Sequence, residues 1–210
     1  MSTSCNRVLS IYKSRKTILE ILDYQDYNVA DYDKFTINEI DAMNTNDQLD
    51  MLIQHTKDTR KMYIKYYLNA KQLRPQNLDD IIEDLFVIEN VLTKNDTLII
   101  ITQDEPNDTI VTKLKYLYDH DGIFVVIHNI KRLQFNILNH TLVPDCEVLT
   151  ETQLNELKKT FNISNEKIQL PEMSRFDPQA LAMCVRPGQV CCFKRDSATA
   201  MKYNYYRICV

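Results

Sequence analysis

The sequence predicts an α/β domain over residues 1–139 followed by a small α+β domain over residues 140–210, and three observations carry that division. Residues 97–102 (Thr-Leu-Ile-Ile-Ile-Thr) and 123–127 are nearly continuous apolar runs of strand length, joined through a helical pattern at 109–118 that Gly122 stops. Strands this apolar are covered on both faces, and a helical crossover between them implies parallel pairing. Around His140-Thr-Leu-Val-Pro144, a proline and a change in charge mark a junction. Beyond it, short strand and helix patterns make up a small α+β unit.

Taken in order, Val8, Ile11, Tyr12, Arg15, Ile18, Leu19 and Leu22 follow i, i+3, i+4 spacing and predict a helix over about residues 7–24. Thr36 with Glu39, and Thr45 with Gln48, each form a capping-box pattern, so two short helices are expected. Met62, Ile64, Tyr66 and Leu68 alternate as in a half-buried strand, and Leu78, Ile81, Ile82, Leu85 and Phe86 return to helical spacing. After the junction, residues 147–149 suit a short strand, and Thr150 with Gln153 caps a helix through Phe161. Asp177-Pro178 starts another helix running to about Cys184, because proline is favoured at the first helical position. Pro187-Gly188 turns the chain into a strand over 189–194, and residues 203–210 form the last strand.

Composition excludes several chemistries. The chain has two glycines, Gly122 and Gly188, too few for a P-loop, a dinucleotide fingerprint or a nucleophile elbow. Its six cysteines form no C-x-x-C pair, so zinc is not expected and the thiols read as reduced. No metal or other cofactor is expected. No apolar run approaches the roughly 18 residues of a membrane span, and no export signal opens the chain, so a soluble protein without a membrane partner is expected. The four histidines lack metal-ligand spacing.

The net charge of −4 conceals an asymmetry: residues 1–139 hold 16 Lys/Arg against 21 Asp/Glu, whereas residues 140–210 hold 9 against 8. Inside the acidic half, Lys57, Arg60, Lys61, Lys65, Lys71 and Arg74 are interleaved with Tyr63, Tyr66 and Tyr67 and opposed in sequence by Asp58 alone. Such a patch suits a phosphate backbone, although a solvated charged face is the commoner origin of this pattern.

One enzyme pattern needs a hearing. Pro144-Asp145 followed by Glu156-Leu-Lys158 has the spacing of metal-dependent nucleases, in which two carboxylates share a divalent metal beside a lysine. That chemistry needs the Glu-x-Lys pair on a strand, whereas here it falls in the helix begun by Thr150, where two residues turn through roughly 200°. A nuclease is disfavoured. The last turn and strand instead crowd Arg195, Ser197, Thr199, Lys202, Tyr203, Tyr205, Tyr206 and Arg207 together. The residues alone leave two readings open, a partner surface and a hairpin stabilised by its own cross-strand pairs. Arg207 and Tyr205 should share one face, with Tyr206 and Ile208 on the other.

Residues His140-x-Leu-Val-Pro144, Gln169-Leu-Pro171, Asp177-Pro178-x-Ala180, Gly188-Gln-Val190 and Arg195-x-Ser197-x-Thr199-x-x-x-Tyr203-x-x-Tyr206-Arg207-Ile208 occur in that order. They resemble the fifth-largest subunit of eukaryotic nuclear DNA-directed RNA polymerases, whose C-terminal domain is shared with a small subunit of the archaeal polymerase. The N-terminal part is similar more weakly, through its first helix, Asp104-Glu-Pro106, Gly122-Ile-Phe-Val125 and Phe135-Asn-Ile137. Three departures stand out: a short segment between His128 and Phe135, Cys184 in place of a usual glycine, and Ala200-Met201 in place of a usual Ala/Ser-Gly.

The resemblance implies a non-catalytic polymerase subunit with no enzyme activity of its own. An N-terminal jaw domain would lie near downstream duplex DNA, with Lys57, Arg60, Lys61, Lys65, Lys71 and Arg74 as its DNA-proximal candidates. A C-terminal assembly domain would dock on the largest subunit through Arg195, Ser197, Thr199, Tyr203, Tyr206 and Arg207. His140, Pro144, Gln169, Pro171, Asp177, Pro178 and Gly188 would be its structural motif. Other polymerase subunits and transcription factors are the further partners implied. The trimmed N-terminal part and the Ile-, Asn- and Tyr-rich composition lean toward a large DNA virus, hence host cytoplasm and virion, with the nucleus expected for a cellular source. A free-standing transcription adaptor is the remaining alternative.

Overall fold

The computed structural model describes residues 2–70 and 72–210, and the side chains from residue 6 onward apart from Lys71. The chain divides into two compact units, Met1–Asn136 and Ile137–Val210.

The first unit opens with α1 (Ser2–Tyr24). Ile11, Ile18 and Leu22 on its inner face are almost wholly buried, and Arg15 is buried with them. The Arg15 guanidinium donates from Nη1 to the Leu49 carbonyl at 2.9 Å and lies over the rings of Tyr32 and Phe35, which offer a cation their π faces. Burial pulls its pKa below the usual arginine value. Helix α2 (Ile37–Thr45) begins with the expected capping box: the Thr36 side chain accepts from Glu39 N–H, and the Glu39 carboxylate accepts from Thr36 N–H at 2.7 Å. Thr45 does not start a second helix. Its hydroxyl donates back to the Asp41 carbonyl at 2.8 Å, and Asp47 takes a positive φ of 53° that turns the chain out of helix. The next element is instead a strand, β1 (Met51–Gln54), with Met51 and Ile53 buried at the period of two.

Strand β1 pairs antiparallel with β2 (Lys61–Tyr67), and β2 pairs in parallel with β3 (Thr97–Thr102). Between β2 and β3 runs α3 (Pro75–Ile82), which continues as a π-helical turn over Glu83–Ile88. Asp96, 3% exposed, secures the entry to β3: one carboxylate oxygen accepts from Thr93 N–H and Oγ1, the other from Lys61 N–H at 2.6 Å. Helix α4 (Asp108–Tyr116) crosses over to β4 (Phe124–Asn129), which is parallel to β3 as expected from two strands buried along their whole length. Gly122, with φ 72°, supplies the left-handed residue that ends the crossover. The sheet order is β1-β2-β3-β4.

The second unit has a sheet of its own. Strand β5 (Asp145–Val148) lies antiparallel to β7 (Val190–Ser197), β7 antiparallel to β8 (Met201–Cys209), and the two-residue β6 (Glu172–Met173) parallel to β8. The strands are therefore ordered β5-β7-β8-β6. Helix α5 (Glu151–Phe161) is capped by the Thr150–Gln153 box, α6 (Glu166–Gln169) comes next, and α7 (Pro178–Ala182) is capped by Asp177. One sheet face packs a core of Cys146, Met173, Ala180, Val185, Cys191, Phe193 and Cys209. The other packs Leu157, Val190 and Ile208, with Leu154 and Tyr206 beside them.

Cys184 and Met201, the two residues standing where glycine was expected, both adopt positive φ, 50° and 57°. The turns therefore keep a glycine-like backbone despite their side chains. At Met201 the Lys202 N–H reaches back to the Ala200 carbonyl at 2.6 Å, closing a tight three-residue turn.

Candidate functional site

The candidate surface of the second unit is the β7–β8 hairpin. Its register sets Arg195 opposite Tyr203, Phe193 opposite Tyr205 and Cys191 opposite Arg207, all on one face. Arg195 sits over the Tyr205 ring at 4.4 Å, and Tyr203 meets Tyr205 edge-on at 6.5 Å. Ser197 orders the tip by accepting from the Thr199 and Ala200 N–H groups, each at 3.3 Å. Tyr206 and Ile208 occupy the opposite face, where Tyr206 packs beside α5 and meets Phe161 at 6.2 Å between ring centres.

The base of the hairpin is committed inward on both faces. Tyr205 packs on the Cys146–Phe193 core and Tyr206 on the Leu157–Ile208 core. Arg207 donates from Nε (3.1 Å) and Nη2 (2.6 Å) to the Glu172 carbonyl, which ties β6 to β8. Outward-facing groups of the last strand concentrate in its distal half, where Lys202, Tyr203 and Asn204 are exposed.

The motif residues occupy joints of the same unit. His140 Nδ1 accepts from Leu142 N–H, and the Pro144 carbonyl accepts from Gln179 Nε2 at 2.7 Å, which links the start of β5 to α7. The Gln169 side-chain oxygen accepts from Ser164 and Asn165 N–H groups. The Pro171 carbonyl accepts from Ile208 N–H, Asp177 caps Gln179 N–H ahead of Pro178, and Gly188 (φ 89°) donates to the Cys209 carbonyl. Cys146, Cys184, Cys191, Cys192 and Cys209 are free thiols. Burial pushes Cys184 up to about 12 and Cys209 up to about 11. The nuclease pattern splits between elements: Asp145 lies on β5, while Glu156 and Lys158 lie on α5, where Lys158 is paired with Glu166.

In the first unit, folding changes the meaning of the basic segment. Lys57 pairs with Asp26 at 2.5 Å, Arg60 with Asp58 at 2.6 Å and Lys65 with Asp50 at 3.4 Å. Asp50 also accepts from Tyr63 hydroxyl and Tyr66 N–H. The sequence-based view that Asp58 alone opposes the patch is therefore corrected: Asp26 and Asp50 arrive from other elements and neutralise two more cations. Lys61 and Arg74 remain, among the described residues, without an ion pair; Lys71 lies outside the described residues. Sequence reasoning also missed a groove at the C-terminal ends of β2, β3 and β4, lined by Arg7, Ser10, Leu68, Gln103, Ile130 and Lys131. Arg7 and Gln103 both donate to the Leu68 carbonyl there, a convergence that no local pattern signals.

Residues 135–209 match the family model for the RNA polymerase Rpb5 C-terminal domain. DNA-directed RNA polymerase subunit Rpo5 of Thermococcus kodakarensis is 42% identical over 77 residues, which is 37% of this chain and 92% of that subunit. The chain belongs to the Rpb5 family. The Rpo5 of Archaeoglobus fulgidus is 36% identical over 78 residues, covering 37% of this chain and 100% of its own. The archaeal matches thus have about the length of the second unit of this Rpb5-family chain. A further relative extends over both units: subunit rpabc1 of DNA-directed RNA polymerases I, II, and III from Dictyostelium discoideum is 27% identical over 217 residues, covering 98% of each chain. Rpb5-family proteins are non-catalytic subunits of DNA-directed RNA polymerases, and transcription is the process they serve.

Proposed function

We propose that this chain is built into a multisubunit DNA-directed RNA polymerase, with the C-terminal unit docking on the largest subunit and the N-terminal unit forming part of the lower jaw near downstream DNA. The observation that carries the reading is the correspondence between the family match at 135–209 and the compact unit Ile137–Val210, which has its own sheet and a core on each face. A unit that buries its own apolar surface is a preformed docking body, so assembly orders little chain and costs little conformational entropy. Near the hairpin tip the exposed Tyr203 and the half-buried Arg195 are residue types that dominate binding hot spots. Ser197 and Thr199 fix the shape of that tip, while Arg207 acts through the framework beneath it.

For the jaw, the paired state of Lys57, Arg60 and Lys65 limits the charge left for phosphate. Contacts to downstream duplex through Lys61 and Arg74 would be few, independent of sequence and weakened by salt. The Ile-, Asn- and Tyr-rich composition favours a large DNA virus as the source, acting in the host cytoplasm and virion; a cellular source would place the chain in the nucleus. Native purification from the source followed by mass spectrometry tests the core reading. The chain should sediment with polymerase-sized particles together with the large subunits. Quantitative recovery in a low-mass fraction would refute it and favour a free-standing adaptor that binds transcription factors.

A further inference from the structure

The sheet of the second unit is not closed on the β6 side. Strand β6 pairs with β8 at Ile208 and Cys209, opposite Glu172 and Met173, and stops there. Its ladder cannot run further, because the preceding residue is Pro171, which has no N–H to offer, and the chain before it turns into α6. Strand β8, however, continues back to Met201. Its backbone polarity is set by bonds at its end: Ile208 N–H donates to the Pro171 carbonyl and Val210 N–H to the Met173 carbonyl, whereas Cys209 N–H points the other way, to Gln189. Since backbone groups alternate along a strand, Tyr206, Asn204 and Lys202 direct theirs to the β6 side, and Arg207, Tyr205 and Tyr203 direct theirs to β7. The Lys202 N–H is used in the turn at Met201. That leaves Tyr206 and Asn204 N–H and C=O, and Lys202 C=O, along an edge that none of the described strands covers. Such an edge is a template for pairing with another chain.

We propose that this edge, residues 202–206, receives an extended segment of a partner polypeptide as an added strand, with an acidic side chain beside Lys202 and apolar side chains against Tyr203 and Tyr205. The inference rests on the reading that the C-terminal unit docks inside a polymerase. Main-chain bonds supply the affinity in this mode and alternate side chains the selectivity. The charge requirement comes from the hairpin itself, which carries Lys194, Arg195, Lys202 and Arg207 against Asp196 between residues 194 and 207. Lys194 and Lys202 share a face, since Lys194 is opposite Asn204, with Asp196 opposite Lys202 as the one acidic residue of that face of the hairpin, while Tyr203 and Tyr205 project to the other. A strand alternating acidic and apolar residues satisfies both faces. A second copy of this chain does not, because its own β8 edge would bring a second Lys202 and no acidic residue.

The test uses the full chain, free and in purified polymerase, with hydrogen exchange resolved to single amides. In the free chain the Asn204 and Tyr206 amides exchange fast, while Tyr203, Tyr205 and Arg207 are already protected by β7. In the polymerase, Asn204 and Tyr206 become protected too. Asn204→Pro removes one outward N–H without touching the β7 ladder, a placement that edge strands tolerate. It should keep the melting behaviour of the chain and lose about tenfold in competition with wild type for assembly, since one hydrogen bond and the pairing beyond it are removed. Fast exchange at Asn204 and Tyr206 in a chain that still copurifies with polymerase would overturn the edge proposal and leave docking standing. Concentration-dependent protection in the free chain would assign the edge to a second copy and overturn it as well. If Asn204→Pro does not fold, Lys202→Glu decides: unchanged competition overturns the acidic-strand proposal. A chain absent from polymerase altogether overturns the underlying reading.

Discussion

Replacing Met201 by glycine should stabilise the protein. Met201 holds a φ of 57° at the hairpin tip, a region that L residues enter at a cost of about 1–2 kcal/mol and that glycine enters freely. Its side chain is 83% exposed, so removing it sacrifices little burial. Against the relief stands the extra freedom of glycine in the unfolded chain, about 0.5–1 kcal/mol. The balance is a gain of about 0.7 kcal/mol. With a urea dependence of about 2 kcal/mol per molar, the unfolding midpoint should rise by roughly 0.3 M. If the two units unfold in separate transitions, the shift belongs to that of the C-terminal unit. Met201→Ala is the control: it trims the side chain but keeps the Cβ that causes the strain, so its midpoint should stay near wild type. A glycine variant no more stable than the alanine variant, measured by circular dichroism in urea, would refute the strain argument.

Arg207→Ala should destabilise the C-terminal unit by about 1 kcal/mol, because the two bonds from the partly exposed guanidinium to the Glu172 carbonyl are lost. Tyr203→Ala, at an exposed position, should stay within about 0.5 kcal/mol in the same urea titration; equal effects would erase the distinction between framework and surface. Stability should also fall with alkaline pH. Cys184, Cys209 and Tyr66 hold their protons in the folded state up to about 12, 11 and 12, whereas in the unfolded chain thiols ionise near 8.5 and tyrosine near 10. Above about pH 8.5 the unfolded state therefore binds fewer protons, and stability declines as pH rises, with no such loss below about pH 8. Urea midpoints at pH 7, 9 and 10.5 measure the decline. Cys184→Ala should flatten it, and an unchanged slope would clear that thiol of the effect.

These perturbations divide along the line between what the sequence makes legible and what it hides. Patterns closed within one element were readable: the apolar runs of β3 and β4, the caps at Thr36, Thr150 and Asp177, the stop at Gly122. Each depends on residues within a turn or a strand of one another, so spacing is nearly the whole of the physics. Strand β1 was lost because Thr45 and Gln48 imitate a cap, although Leu49, Met51 and Ile53 carried the competing period of two. The basic segment misled for a different reason: Asp26 and Asp50 neutralise it from elements that no local window includes. Arg207 shows the same limit in the C-terminal unit. Its type and position suit a contact surface, and pairing β6 in parallel with β8 also brings a carbonyl 35 residues away within its reach, a bond that no local window shows. That same pairing, cut short by Pro171, leaves the rest of β8 with an unfinished edge. A single proline thus fixes where the domain's own sheet ends and where another chain can continue it, and that consequence becomes visible only when strand order and register are known together.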